Sequence, residues 1–175
     1  MPGGAKTNAN GLVFEAKVDL LGQFDGIWFD KFEVISASQD QFLSLPPSIR
    51  QDCDPDWNDR KADTGIMITN LCNGMRSFLI IEKKYQEVKG SVDSKLLAGQ
   101  AFRKIWTRTL DVPDNNLVEV RYAFVVNKWM WNKLIMKKAD IRYILESDNI
   151  PLFSTGETDV VMEIHNIILD MFDSL

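Results

Sequence analysis

Four consecutive apolar residues, Phe78 to Ile81, run directly into Glu82-Lys83-Lys84. Charged side chains are rarely buried without partners, so a strand that ends this way either surfaces or brings its charges to a site. The pattern on either side predicts the neighbouring elements. Leu12, Ala16 and Leu20 recur at helical spacing, with Glu15 and Asp19 on another face. They predict a helix over 12–21 with Asn10 as N-cap. Near-alternation through "GIWFDKFEVISA" predicts one strand or two short ones, with Ile27, Phe29, Phe32 and Val34 as apolar positions. "SLPPSIRQDCDPDWNDRKAD" reads as a loop from its prolines and aspartates. "TGIMIT" and "RSFLIIEKKYQ" read as strands joined at Asn73-Gly74, a strong signal for a two-residue hairpin turn. "GSVDSKLLAGQAFRKIWTRTL" reads as one helix, capped at Ser91 or Asp93. Its apolar line is Leu97, Ala101 and Ile105, with Phe102 and Trp106 beside it. "VEVRYAFVVN" has the β-branched and aromatic content of a buried strand. A helix over 136–146, a short "IPLF" segment and a helix over 159–172 complete a mixed α/β domain spanning residues 1–175.

The hairpin carries the functional argument. With Asn73 and Gly74 as the turn, Cys72 faces Met75 and Asp63 faces Lys84. Side chains alternate along a strand, and cross-strand partners share a face. Asp63, Glu82 and Lys84 therefore converge at the open end of the hairpin, and Lys83 points the other way. Glu82 is then diagonal to Asp63, about 7–8 Å between backbones and within reach of long side chains. A one-residue slip in register would destroy this convergence.

Composition narrows the chemistry. The chain has 175 residues, 45% of them hydrophobic and 26% charged, which suits one ordinary globular domain. No apolar run approaches the roughly 20 residues of a membrane span, and "MPGGAKTNANG" lacks the apolar core of a signal peptide. The expectation is a cytoplasmic (intracellular) protein with no membrane partner. Cys53, Cys72 and the single histidine, His165, supply no structural zinc motif. His165, within the helical "VVMEIHNIILDMF", reads as structural. A net charge of −5 argues against a general nucleic-acid coat protein but not against an enzyme with an acidic centre acting on DNA.

Two carboxylates beside one ammonium suit a hard divalent cation. Mg²⁺ takes oxygen ligands and keeps several waters. Held by Asp63 and Glu82, it could polarise a phosphodiester, with Lys84 stabilising charge on the phosphate or the attacking water. The competing reading is a cross-strand salt bridge at a solvated hairpin end.

The pattern Asp63…Glu82-Lys83-Lys84 resembles the PD-(D/E)XK motif of the restriction-endonuclease-like nucleases. The likeness extends to "IEKKYQEVKGSVDSKLLAGQAF", to "VRYAFVVNKWMWN" and to the N-terminal "GGAKTNANGLVFEAKVDL". It is strongest to type II restriction endonucleases. The resemblance implies a restriction-endonuclease-like core, with a mixed central β-sheet flanked by helices. It also implies Mg²⁺, replaceable by Mn²⁺, double-stranded DNA as substrate, and a homodimer. Asp63 and Glu82 become metal ligands, with Asp63, Glu82, Lys84, Glu15 and Gln86 as the catalytic set. Glu15 carries a metal-bound water or tunes the site on this reading; read as a residue alone, it is rather part of a helix surface. One departure is that Ala62, not proline, precedes Asp63. The literal Pro55-Asp56 falls in the polar loop, upstream of the strand, and Asp56 is the alternative first acid.

DNA contact is expected from Lys6, Thr7, Asn8 and Asn10, whose amides, hydroxyl and amine can meet phosphates or base edges, set against the alternative, favoured slightly on the residues alone, of a frayed N-terminus. It is also expected from a stripe of Lys95, Gln100, Arg103 and Lys104, continuing to Arg108, set against the alternative of a solvated helix face. Trp129, Met130, Trp131 and Met136 read as core or dimer surface. Two further functions stay open: a non-catalytic DNA-binding or assembly subunit with a nuclease-like fold, and a structure-selective nuclease such as a junction resolvase.

Overall fold

The computed structural model describes residues 4–38, 62–87, 92–111, 116–132 and 137–175, and not the side chains of 4–9 and 92–93. The strands are β1 (Gly26–Trp28), β2 (Phe32–Ser38), β3 (Thr64–Asn70), β4 (Arg76–Lys84), β5 (Leu117–Val126) and β6 (Leu152–Ser154). The helices are α1 (Gly4–Lys17), α2 (Val92–Leu97), α3 (Gly99–Leu110), the single turn α4 (Lys128–Met130), α5 (Ala139–Ser147) and α6 (Val160–Phe172). The strands form one sheet in sequence order. β1 to β4 are an antiparallel meander, and β5 and β6 add in parallel. The chain is therefore α/β, with a six-stranded mixed open sheet flanked by helices. Among the described residues, no helix is long and apolar enough to cross a membrane.

Helices cover both faces of the sheet, which explains why β4 is an unbroken apolar run rather than an alternating one. Phe78 and Ile80 face one core with Leu96, Trp106, Leu110, Ile141 and Leu145 of α2, α3 and α5. Leu79 and Ile81 face the other, with Phe14 of α1 and Ile164, Ile168 and Met171 of α6. All four β4 residues have no exposed surface. At about 1.5–3 kcal/mol per fully buried large apolar side chain, this strand fastens the sheet strongly to the helices on both faces. The edge strands β1 and β6 are only three residues each, which limits the backbone they offer to edge pairing.

The β3–β4 turn differs from the two-residue hairpin that Asn73-Gly74 predicts. Asn70 N donates to Met75 O at 2.8 Å and Gly74 N to Asn70 O at 2.8 Å, closing a loop over residues 71–74. Asn70 Oδ1 accepts from Cys72 N at 2.9 Å, and Asn73 Oδ1 from Met75 N at 2.9 Å. The asparagines thus build side-chain turns of their own, and Gly74 supplies the left-handed residue, at φ 72°, only at the loop's end. Thr69 pairs with Arg76 and Thr64 with Ile81. Continuing that ladder brings Asp63 to Glu82 rather than to Lys84. The register has moved by two positions, and an even shift keeps every side chain on its expected face.

Three further expectations are corrected. The first helix starts at Gly4, not near Leu12, and ends at Lys17, so Asn10 is an exposed residue inside it rather than its N-cap. Asn10 and Gly11 cost at most about 1 kcal/mol each in a helix and do not stop it. Among its described side chains the buried one is Phe14, while Leu12 is 68% exposed, because the helix meets the sheet by its Phe14 side. The second long helix is broken at Ala98 into α2 and α3. Its inner line is Leu96, Gly99, Trp106 and Leu110 rather than Leu97, Ala101 and Ile105; Leu97 and Phe102 are exposed. Gly99 permits this rotation, since a Cβ there would stand 3.0 Å from both Phe124 and Ile150. Finally, Ile27 and Phe29 are exposed, and Phe29 and Asp30 form the turn between β1 and β2 in left-handed conformations. The last helix starts as predicted, with the Asp159 carboxylate accepting from Met162 N at 3.1 Å. His165 is exposed and packs its ring 4.9 Å from Trp28, a structural contact.

Candidate metal centre

Because β3 and β4 are antiparallel, the start of β3 lies at the end of β4, where the apolar run gives way to charge. Asp63 stands just before β3 and turns its carboxylate onto β4, where Oδ2 accepts from Lys83 N at 2.7 Å. Lys84 Nζ lies 3.5 Å from the same Oδ2 and also donates to Glu82 Oε2. Two carboxylates thus converge on one cationic group. Their side chains are 17% and 15% exposed and that of Lys84 22%, so the cluster is largely desolvated yet open to solvent.

Electrostatics strain this cluster. Burial raises the Glu82 carboxyl above its usual range, and Asp63 and Glu15 add to the rise against the opposing pull of Lys84. Burial also acts against the Lys84 ammonium, but Glu82 and Asp63 outweigh it and hold the group charged, above its usual range. Glu15, projecting from α1, is raised by burial and by Asp63. Three carboxylates therefore share one field with the bridging Lys84 ammonium, with Lys83 and Asp19 acting from the other face, and added positive charge is favoured there.

Lys83 takes the other face, as alternation predicts. It is buried, its Nζ points at the Glu15 backbone carbonyl at 3.5 Å, and burial lowers its ammonium against the pull of Asp63, Asp19 and Glu15. Sequence reading overlooked Tyr122. It lies on β5 beside Ile80, on the Glu82 face, and is 1% exposed; burial, with the Glu82 and Asp63 carboxylates nearby, raises its phenol well above the ordinary range. A tyrosine heading the apolar run Ala123–Val126 was the available signal, since a buried phenol needs a polar neighbour.

The pair suits a hard cation. Both acids already reach one positively charged nitrogen, all donor atoms are oxygens, and Mg²⁺ is commonly held by one or two carboxylates with water completing its shell. Among the described residues no group of three His, Cys, Asp or Glu side chains is arranged to hold a metal ion, so Glu15 stands near the pair without completing a ligand set.

The other expected site residues are scattered. Gln86 is 3% exposed; its N–H donates to Asn127 Oδ1 at 3.3 Å and its carbonyl accepts from Asn127 Nδ2 at 3.1 Å, which clamps the chain leaving β4. Arg103 does not belong to an open basic stripe: its guanidinium donates to the Asp148 carbonyl at 3.0 Å, on the side of α3 that turns inward with Gly99 and Trp106. The rotation of α3 that corrects its apolar line also moves Arg103 inward. Gln100 is half-buried, while Lys95, Lys104 and Arg108 are exposed. The side chains of Lys6, Thr7 and Asn8 lie outside the described residues, as do Asp56 and Met136. Met130 is fully buried, with Trp129 and Trp131 packed against the same core, so these read as packing. No protein-family model, curated protein or solved structure matches the chain.

Proposed function

We propose that the protein is a Mg²⁺-dependent endonuclease hydrolysing phosphodiester bonds in double-stranded DNA, of the type II site-specific kind, built on a restriction-endonuclease-like core. One observation carries this reading: Asp63, Glu82 and Lys84, spaced as in the PD-(D/E)XK motif, meet at one desolvated but accessible strand end. The topology supports it, since the cluster lies at the C-terminal ends of the parallel pair β4–β5, a common position for active sites in α/β sheets.

Asp63 and Glu82 would hold the cation. When bound, Mg²⁺ supplies Lewis-acid polarisation of a phosphodiester oxygen. With a cation held there, Lys84 would donate to the phosphate oxygens, where negative charge builds as the 3′-oxygen leaves, or to the attacking water. Lys95, Lys104 and Arg108 are exposed cations available for phosphate contact. A two-fold homodimer would give each DNA strand its own site.

A second reading keeps the same atoms as a salt bridge in a non-catalytic DNA-binding subunit, because Lys84 already pairs both acids. Incubation with DNA of many sequences separates the two. The endonuclease cuts with Mg²⁺ or Mn²⁺ and not with EDTA. No cutting of any sequence, or cutting indifferent to EDTA, contradicts the proposal. Preference for branched over linear duplexes would redirect it to a structure-selective nuclease.

A further inference from the structure

A cleft of about 340 Å³ opens beside β6, the outer strand of the sheet. Trp131, Leu145, Ile150 and Leu152 give it apolar walls. That volume, with mostly apolar walls and few polar groups, is typical of small-molecule sites. The walls are held in place. Leu145 and Ile150 belong to the core, and Trp131 and Leu152 pack against it. Ile150 N donates to Leu145 O at 2.8 Å, and Asn149 turns the chain from α5 into β6 in a left-handed conformation, at φ 53°. An occupant therefore meets a formed surface rather than one it must order.

Two charged residues of α5, Arg142 and Glu146, line the same cleft. Four residues apart, they are neighbours on one side of the helix. Yet they form no ion pair with each other, and among the described residues neither pairs with another charged group. Arg142 Nε is buried with no hydrogen-bond partner. A partly buried guanidinium without an acceptor is costly, and its planar fork suits a carboxylate. Glu146 is ill placed for a different reason. It is the next-to-last residue of α5, at the end where backbone carbonyls give a helix partial negative charge, and that last turn holds no basic residue. The cleft thus offers a donor for an anion one helical turn from an acceptor for a cation, with apolar space alongside.

We propose that this cleft binds a free α-amino acid with an apolar side chain. The carboxylate meets Arg142, the ammonium meets Glu146 at the carbonyl end of α5, and the side chain enters between Trp131, Leu145, Ile150 and Leu152. A free α-amino acid carries both charges on one carbon and an apolar group besides; a simple acid or amine carries only one of the charges. The site is independent of the metal centre and stands or falls without it. The test is a set of NMR titrations of the full-length protein with L-leucine, with isocaproate, which lacks the ammonium, and with isoamylamine, which lacks the carboxylate. L-leucine should shift the signals of Ile150, Leu152 and the Trp131 indole. It should bind about 10-fold or more tightly than either analogue, as expected when a charge-assisted hydrogen bond is lost. Arg142→Met should weaken L-leucine to the level of the amine, and Glu146→Gln should weaken it to the level of the acid. Wild type alone compares the three ligands, so the proposal stays open to refutation should a variant fail to fold. No shift at the cleft as L-leucine is raised to its solubility limit overturns it. Equal binding of the three ligands overturns it as well, as does a preference for L-leucine over the amine that survives in Arg142→Met.

Discussion

Two charge clusters on this sheet have the same inventory and different characters. At one end of the β4–β5 pair, Lys84 bridges Asp63 and Glu82; on β5, Arg121 bridges Glu119, at 2.9 Å, and Asp170 of α6. The Arg121 cluster opens to water through Asp170, whose side chain is 66% exposed. Its guanidinium fork satisfies two acids at once, and Ser174 Oγ donates to the remaining Glu119 oxygen at 2.7 Å. That cluster fastens the C-terminal helix to the sheet. The Lys84 cluster is drier, carries the additional field of Glu15, and contains a compact ammonium where a fork would bind more firmly. Two acids and a cation make a fastening when they are balanced and wet; they make a candidate site when charge is in excess and water is scarce.

The largest expected contrast is in DNA cleavage. Glu82→Ala and Lys84→Ala should each lower the rate by at least about 10²–10³-fold, as expected when a group acting on transition-state charge is removed. Glu119→Ala should leave it within about two-fold. Loss of cleavage in Glu119→Ala as large as in Glu82→Ala would erase the distinction between the clusters. Stability gives a smaller contrast. Glu119→Ala removes a partly exposed pair and should cost about 0–1 kcal/mol in denaturant unfolding. A loss above about 2 kcal/mol would mean that this cluster is not a solvated fastening.

The smallest effect tests the excess charge directly. Glu15 has a raised carboxyl in the folded state, so its contribution favours folding below its ordinary value of 4.5 and is lost as pH rises through the folded-state value. Glu15→Gln does not titrate. It should therefore melt higher than wild type near pH 7, by on the order of 1–2 °C, with the gap closing as pH falls toward 4.5. A gap that widens on acidification would have the wrong sign for a carboxylate in an overcrowded acidic field.

Much of this site was legible in the sequence because strand alternation is robust. The parity of Glu82 and Lys84 needs only that β4 is a strand, and Asp63 joins them in either of two registers that differ by an even step. The exact partner was not legible. Asn70 and Asn73 form side-chain turns that lengthen the loop, and the Asn-Gly pair alone does not announce them. The facing of α3 was misread because a glycine counts as no hydrophobe, yet Gly99 is where the helix comes closest to Phe124 and Ile150. That same error put Arg103 on an open stripe. Tyr122 escaped because it is distant in sequence from Glu82, on a strand that joins β4 only after the α2–α3 crossover.

The proposed function requires that the Asp63–Glu82 pair, and not the Glu119–Asp170 pair, takes a divalent cation. A crystal soaked in Mn²⁺ and measured for anomalous scattering tests it most directly. A peak is expected between the Asp63 and Glu82 carboxylates, with Lys84 Nζ moved off the line joining them. A saturated crystal with no peak there, or with manganese held only at Glu119 and Asp170, would contradict it.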